Sequence, residues 1–249
     1  MVGSGPATGG GRRWLCAAAA VGVLAGTSGC GVWGLRPGRP TEGVGGPAYA
    51  VAAPRADREA AVFDVVDGVD RVAVRVADIG ADLYRVATPE GGPRAPRVAA
   101  AGDRFTLTLA DTRRAGESRL DVRLSHRVRW TVRLAGGAKD QVVDLGAGTV
   151  RGVEILGGTS RTEVVLPKPA GAVPVRLGAG AGEFLVRAPA GVPVRVRLGA
   201  GAGSATIDAQ RHGGQSAGAT FAPAGWATAT DRYDVDVAGG VGSFTLDRT

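Results

Sequence analysis

The chain has 249 residues, of which 44% are hydrophobic and 5% aromatic, with 42 glycines and a formal net charge of +7. Along the apparent strands its arginines stand singly rather than in basic runs interleaved with aromatics, so no nucleic acid partner is expected. Abundant valine and glycine with few aromatic residues favour strands and tight turns over helices.

The N-terminus has the pattern of an export signal. Arg12 and Arg13 precede an apolar stretch, residues 14–25, and small residues then lead to Cys30. A positive region, a short apolar region and small residues together make a secretory signal, so we predict a signal peptide over residues 1–29. The choice between the general and the twin-arginine export routes stays open, because the twin-arginine pattern is partial.

The segment Thr27-Ser28-Gly29-Cys30 resembles a bacterial lipobox. The resemblance implies cleavage before Cys30 and a diacylglycerol on its sulfur, with acyl chains such as palmitate. The other cysteine, Cys16, lies in the part that would be removed, so one cysteine would remain in the mature chain. The alternative is a signal anchor over residues 14–35. Both interpretations place the bulk of the chain at the extracytoplasmic face of the cell membrane.

The rest of the chain divides into a tether and a domain. Residues 31–58 contain four prolines among glycine and polar residues, with no persistent apolar period. We therefore assign residues 30–58 to a lipidated cysteine and flexible tether, and residues 59–249 to a single β domain. Within the domain, residues 59–127 are less regular and residues 128–249 carry a repeat.

Apolar runs separated by turn signals recur along the domain, and several alternate with polar residues. Period-two alternation indicates strands with one buried and one exposed face. Trp130 alternates with Val132 and Leu134, which predicts a core position for the indole. The predicted strands are 71–76, 82–86, 104–109, 120–124 and 128–134.

A glycine-rich step repeats in the second half of the chain. Leu177-Gly-Ala-Gly-Ala-Gly182 recurs from Leu198 to Gly203, an offset of about 21 residues. Glycine permits tight turns, often with positive φ, and we expect Gly180 and Gly201 to be equivalent turn positions. One strand–turn–strand unit cannot bury its apolar face alone, so the units must stack. The pattern predicts an all-β fold, a short β-solenoid or rolled sandwich with repeats of about 20 residues.

Several of these segments resemble the bacterial putative-adhesin and toast-rack repeat domains, including the C-terminal domain of envelope-stress response proteins. The similarity covers residues 121–249 well and 59–120 loosely. It implies a right-handed β-roll exposed at the cell surface, with no catalytic residues to carry over. The resemblance is carried by residues 130–134, 142–146 and 161–167, by the two glycine steps, and by 233–246.

The glycine steps lack the context of a cofactor site. Residues 178–182 resemble a dinucleotide-binding pattern but lie between two predicted strands rather than between a strand and a helix. No Walker lysine follows a glycine loop, and the turns lack the aspartates of calcium-binding repeats. We therefore predict neither a cofactor nor a metal ion.

Catalytic groups are also sparse in the sequence. His126 and His212 are the only histidines and do not have the spacing of metal ligands. We expect His126 on the surface of a strand and His212 solvated in a polar loop. We therefore predict no catalytic residue, and the protein is not expected to be an enzyme.

Acidic residues recur along the repeat part and would stack if the period held. Stacked like charges are unfavourable unless arginines interleave them, and Arg151, Arg161, Arg176 and Arg197 have suitable positions. We therefore expect pairs with arginine on the outer face, the alternative being a sugar or cation site. The residues concerned are Asp144, Glu154, Glu163, Glu183 and Asp208.

Two tryptophans lie outside the predicted core. Trp33, in the tether, is expected at the lipid interface. Trp226 follows a Pro-Ala-Gly bend and is expected to cap the end of the repeat stack, the alternative being a ligand platform.

These features predict a lipid-anchored protein with a binding, adhesion or envelope-stress-sensing role. Its partners would be the membrane, through the lipid on Cys30, and an envelope polymer or a membrane protein. Two alternatives remain: a glycan-active enzyme on a β-solenoid, which would need an acidic cluster and aromatic platforms, and a regulatory partner of a membrane sensor protein.

Overall fold

The computed structural model describes residues 49–249, in which strands dominate and no α-helix occurs. The all-β prediction is therefore confirmed. The strands are β1 (Tyr49–Pro54), β2 (Ala60–Val65), β3 (Val69–Ala77), β4 (Asp82–Thr88), β5 (Arg94–Ala101), β6 (Arg104–Asp111), β7 (Arg119–Ser125), β8 (Arg129–Leu134), β9 (Ala138–Asp144), β10 (Thr149–Ile155), β11 (Thr159–Val165), β12 (Ala172–Leu177), β13 (Ala181–Ala188), β14 (Val194–Leu198), β15 (Ala202–Ile207), β16 (Gln210–His212), β17 (Ala219–Phe221), β18 (Arg232–Val237) and β19 (Val241–Arg248). A 3-10 turn, Trp226–Thr228, precedes β18.

The strands form two mixed sheets, here called sheet A and sheet B. Sheet A has ten strands in the order β1-β4-β7-β3-β9-β11-β13-β19-β15-β16. Sheet B has nine in the order β17-β14-β18-β12-β10-β8-β2-β6-β5. From β7 to β15 the chain alternates between the two sheets.

The core lies between the sheets and follows the period-two alternation seen in the sequence. In β8, for example, Trp130, Val132 and Leu134 are buried while the intervening residues are exposed or half-buried, as predicted. Aromatic rings join the two layers: Phe63 of sheet B lies edge-on to Tyr84 of sheet A, with ring centroids 5.5 Å apart. Edge-to-face pairs of this kind stabilise a core beyond the area that they bury.

Two consecutive strands, one in each sheet, form a layer that is here called a rung. Within each sheet, the strands of neighbouring rungs run parallel to one another. Along the stack the rungs do not follow the order of the chain. The last rung, β18–β19, is inserted between two earlier ones, and the first, β2–β3, is likewise displaced inward. The order in space is β6–β7, β2–β3, β8–β9, β10–β11, β12–β13, β18–β19 and β14–β15.

The insertion of the last rung separates the two glycine steps. Leu177 and Leu198 occupy the same position, because both align with Val237, but they are not neighbours. The turn glycines continue the hydrogen-bond ladder: Thr159 N–H donates to Gly180 O over 3.1 Å, and Val241 N–H donates to Gly201 O over 3.3 Å.

Gly180 and Gly201 are therefore equivalent in position but not in conformation. Gly201 has a φ of +88°, which favours glycine. Gly180 lies outside the positive-φ region, and its constraint is the backbone of the next rung, because a β-carbon there would lie 3.2 Å from Gly240 O. The expectation of positive φ holds only for Gly201.

Antiparallel strands flank the parallel rungs at both ends of the stack. β1 and β4 continue sheet A and β5 continues sheet B at one end, and β16 and β17 do so at the other. β1 lies inside the stretch assigned to the tether, so ordered structure begins before Glu59. Its Val51 and Ala53 pack against the core. The alternation of β1 is hard to see in the sequence because alanines lie on both of its faces.

Candidate functional site

A groove of about 670 Å³ lies on the outer face of sheet A and is here called the sheet A groove. It crosses β7, β3, β9 and β11, with the end of β4 at one side. Because β7, β3, β9 and β11 are parallel and in register, side chains on the same face of the sheet line up across neighbouring strands. The lining residues are Arg71, Val72, Ala73, Arg75, Ala87, Thr88, Pro89, Arg119, Leu120, Asp121, Asp140, Gln141, Val142, Arg161 and Glu163.

Small and apolar side chains form the floor of the groove. Ala73 and Val142 are direct partners across β3 and β9, and Ala87 lies opposite Asp121 at the side. Their short side chains leave a depression between longer neighbours on the same face. The floor therefore offers apolar surface without an aromatic platform.

Arginines form the rim of the groove, and carboxylates hold them in place. Arg71 Nε lies 2.9 Å from a Glu117 oxygen and 3.6 Å from an Asp140 oxygen. Arg75 donates to Asp121 over 3.1 Å, and Arg119 donates to Glu117 over 2.6 Å. Exposed ion pairs of this kind contribute little to stability, but they restrict where the guanidinium groups point.

Two arginines of the rim are more exposed than the carboxylate that they share. The side chains of Arg71 and Arg119 are 54% and 56% exposed, against 35% for Glu117. The hydrogen bond from Arg119 is the main reason that the pKa of Glu117 is lowered, so its carboxylate stays ionised beside the rim. Arg71 and Arg119 therefore present exposed guanidinium groups at this part of the rim.

A cluster of polar contacts between Asp70, Ser118 and Lys139, here called the Asp70 hook, fixes the segment that carries Glu117. Ser118 N–H and Ser118 Oγ both donate to Asp70, over 2.9 and 2.8 Å, and Lys139 Nζ lies 2.7 Å from the other Asp70 oxygen. The Lys139 hydrogen bond, followed by those from Ser118, lowers the pKa of Asp70 far below its usual range. The hook joins β3, β9 and the start of β7 at one end of the groove.

The predicted acidic residues do not stack on one another. Glu154 lies on sheet B between Arg133 and Arg176, whereas Glu163 and Glu183 lie on sheet A. Most pair with an arginine, but of the four arginines expected to interleave them only Arg161 does so. The described pairs are Glu154–Arg133 at 3.0 Å, Glu163–Arg187 at 2.8 Å, Glu183–Arg161 at 3.8 Å and Asp208–Arg248 at 2.6 Å. Asp144 instead accepts the Gly146 N–H at 3.1 Å in a turn.

The two histidines lie far apart in the fold and away from the sheet A groove. His126 was expected on the surface of a strand, but it lies half-buried in the turn after β7, with Nδ1 3.4 Å from Ala77 O. His212 was expected to be solvated, but it is half-buried in β16, where its ring lies 4.8 Å from that of Phe221. The expectation failed because β16 pairs with β15 and turns the imidazole inward.

Trp226 lies on the outer face of sheet B and does not cap the end of the stack, which corrects the expectation for it. Its indole N–H donates to Tyr233 O over 2.8 Å, and the Arg195 guanidinium carbon lies 3.9 Å from the ring centre. Arg232 lies 5.0 Å from the same ring. Two cation–π contacts thus occupy the ring that was considered as a platform.

Within residues 49–249 no group of three or more acidic, histidine or cysteine side chains is placed to bind a metal ion. No helix in that range has the length and apolarity to cross a membrane. Cys30, Trp33 and the signal peptide predicted over residues 1–29 lie outside the described residues.

No protein-family model matches this sequence, and no curated protein matches it. The fold is similar to that of a putative cell adhesion protein from Clostridium sporogenes, with a TM-score of 0.59 and 10% identity over 81% of this chain and 99% of that one. Putative adhesins from Bacteroides fragilis and Parabacteroides distasonis match with TM-scores of 0.29 and 0.23, at 10% and 9% identity. They cover 83% and 81% of this chain and 98% and 97% of their own. At 10% identity the likeness to the Clostridium protein supports the expected resemblance at the level of the fold alone.

Proposed function

We propose that this protein is a lipid-anchored, extracytoplasmic binding protein without catalytic activity, and that the sheet A groove binds an anionic polymer of the cell envelope. The groove carries the proposal, because exposed guanidinium groups positioned by shorter carboxylates surround an apolar floor. In the same proposal the stacked rungs form a right-handed β-roll with a repeat of about 20 residues.

The chemistry of the rim favours phosphate or carboxylate ligands. Guanidinium groups recognise both in a bidentate manner. In register across the sheet, Arg119 lies beside Arg71, and Arg161 lies beyond the intervening Asp140. Neighbouring strands are separated by about 4.8 Å, so the row presents cations at intervals that a chain of repeating anionic groups can follow.

The proposed site of lipid attachment is Cys30. Its pattern in the sequence supports lipidation, and the chain from Cys30 reaches the fold at β1, on one edge of sheet A. Cys30→Ala tests it: the variant should move from the membrane fraction to the medium or remain unprocessed. A variant that fractionates and migrates like the parent contradicts the lipid anchor.

The binding experiment compares polyphosphate and polyglutamate, which separate phosphate from carboxylate recognition, with neutral dextran as a blank. The full chain in detergent should bind at least one of the polyanions, and added salt should weaken the binding. Arg71→Ala should lower the affinity about tenfold, the effect of losing one charge-assisted hydrogen bond. The matched control is Arg197→Ala, an exposed arginine of sheet B, which should change the affinity little.

Equal losses in the two variants would mean that binding follows net charge rather than the groove. No binding to either polyanion would contradict the proposed ligand. Turnover of peptidoglycan, glycans, esters or peptides that depends on His126, His212, Asp144, Glu163 or Asp208 would contradict the non-catalytic role. Co-purification of a sensor kinase from intact membranes would favour the regulatory alternative instead.

A further inference from the structure

The two ends of the stack are closed in different ways. At the end formed by β1 and β5, the side chains that point into the sandwich are apolar and pack against the core, as Val51, Ala53 and Val98 do. At the end formed by β16 and β17, the inner face of β17 is also apolar, but β16 carries polar side chains on its inner face. A cleft lies at this second end.

The register of the hairpin β15–β16 shows which side chains face into that cleft. Gln210 lies opposite Ile207, and His212 lies opposite Ala205, which is fully buried. Directly opposed residues of an antiparallel pair lie on the same face of the sheet. Gln210 and His212 therefore point inward from sheet A.

Sheet B supplies the opposite wall of the cleft. In β17, Phe221 lies opposite Val196, which is fully buried, so Phe221 also points inward. Its ring lies 4.8 Å from that of His212 at an angle of 47°. An aromatic surface from one sheet thus meets a hydrogen-bonding ring from the other.

The resulting space, here called the end cleft, has a volume of about 530 Å³, within the range of small-ligand sites. Val194, Ile207 and Phe221 provide its apolar surface, and Gln210 and His212 its inward hydrogen-bonding groups. The remaining lining residues are Asp208, Thr220, Ala222 and Pro223.

The one carboxylate of the end cleft is already paired. Asp208 accepts two hydrogen bonds from Arg248, over 2.6 and 2.9 Å, and Arg248 also donates to Val192 O. This bidentate pair offsets the charge of Asp208 while leaving acceptor capacity on its oxygens. The cleft therefore does not select a ligand by net charge.

The turn that places Asp208 is conformationally strained. Asp208 and the next residue, Ala209, have φ values of +50° and +66°, where residues with a side chain are uncommon. The two residues form the two-residue turn of the β15–β16 hairpin, which requires positive φ at both positions. This turn places the Asp208 carboxylate at the mouth of the cleft.

We propose that the end cleft binds a neutral saccharide. A sugar ring combines an apolar C–H face with hydroxyl groups that both donate and accept hydrogen bonds. Phe221 offers a flat apolar surface for the first, and Gln210 and Asp208 offer an amide and carboxylate oxygens for the second. This site lies outside the sheet A groove and takes a different class of ligand.

The test uses the full chain in detergent, with short chitin, cellulose and maltose oligosaccharides as probes. Saturation-transfer NMR should detect at least one probe through its ring C–H protons, and calorimetry should give its affinity. Phe221→Leu keeps an apolar side chain but removes the ring, and should lower the affinity at least about tenfold. Gln210→Ala should lower it as well, while the outward-facing Arg211→Ala should leave it unchanged.

Gln210 is exposed, so its variant tests binding even if the Phe221 variant fails to fold. The proposal is overturned if no neutral oligosaccharide binds, if Arg211→Ala weakens binding as much as Gln210→Ala, or if polygalacturonate binds the cleft better than every neutral probe. Polyanion binding to the sheet A groove should be the same in Gln210→Ala and the parent, and Arg71→Ala should not alter saccharide binding. The two proposals can therefore fail separately.

Discussion

Phe244, in the last strand of the chain, packs edge-on against Phe184 of β13, with ring centroids 5.8 Å apart. The two residues are direct partners in the parallel pairing of β13 with β19. On its other side β19 pairs with β15, so the C-terminal strand lies between two strands that precede it in the chain. The end of the chain therefore holds the last part of the stack together.

We expect Phe244→Ala to lower the free energy of unfolding by about 3–5 kcal/mol, because it leaves a cavity between the sheets. Urea unfolding followed by circular dichroism measures the change. Its neighbour Thr245 lies on the outer face, and Thr245→Ala should cost less than about 1 kcal/mol. A loss for Phe244→Ala no greater than that for Thr245→Ala would contradict the central position of β19.

Adjacent glycines in the turn before β19 provide a test of close backbone approach. A β-carbon on Gly239 would lie 2.2 Å from Ala179 O, whereas one on Gly240 has nothing within 4 Å. We expect Gly239→Ala to destabilise by several kcal/mol, of the order of 3, and Gly240→Ala to change stability little. Melting temperatures of the two variants show the difference, and equal values would mean that the rungs are not packed this closely at the turn.

The strained turn after β15 predicts a stabilising substitution. Ala209 has a φ of +66°, which costs a residue with a β-carbon roughly 1 kcal/mol relative to glycine. Ala209→Gly should therefore raise the free energy of unfolding by up to about 1 kcal/mol. Ala217→Gly, at a position without positive φ, should not stabilise, because glycine there only adds freedom to the unfolded chain. Stabilisation of both variants to the same degree would remove the assignment of strain to Ala209.

The Asp70 hook predicts a dependence of stability on pH. The folded protein holds the pKa of Asp70 far below its ordinary value of 3.8, chiefly through the Lys139 hydrogen bond. The unfolded chain then binds this proton first as the pH falls, so the contribution is complete above about pH 4 and declines below it. Asp70→Asn should flatten the fall in the urea midpoint between pH 4 and pH 2, with Asp57→Asn as the control. A parent and an Asp70→Asn variant with parallel profiles would contradict the shift.

Much of the local structure was predictable from the sequence because side chains alternate with a period of two. That period identified β3, β4, β6, β7 and β8 and placed Trp130 in the core, where it is fully buried. Glycine steps identified the turns between strands, including the one before β13. β1 was missed because alanines dominate its alternation and blur the contrast between its two faces.

The sites were not predictable in the same way. The sheet A groove combines residues from Arg71 to Glu163 that meet only because β7, β3, β9 and β11 are neighbours in register. Arg71 alone has no feature that separates it from the other single arginines of the sequence. The end cleft combines His212 and Phe221. No sequence pattern links these two residues, which are brought together only because β16 and β17 lie at the same end of the stack.

By itself the sequence determined the strand period, the glycine turns and therefore the all-β class, since these depend on a residue and its close neighbours in the chain. Only the tertiary structure decided the order of the rungs. Every rung presents similar valine and leucine faces, so local pattern cannot state which rung packs on which. That choice is made by long-range contacts such as Phe184 with Phe244, which insert the last rung before its predecessor.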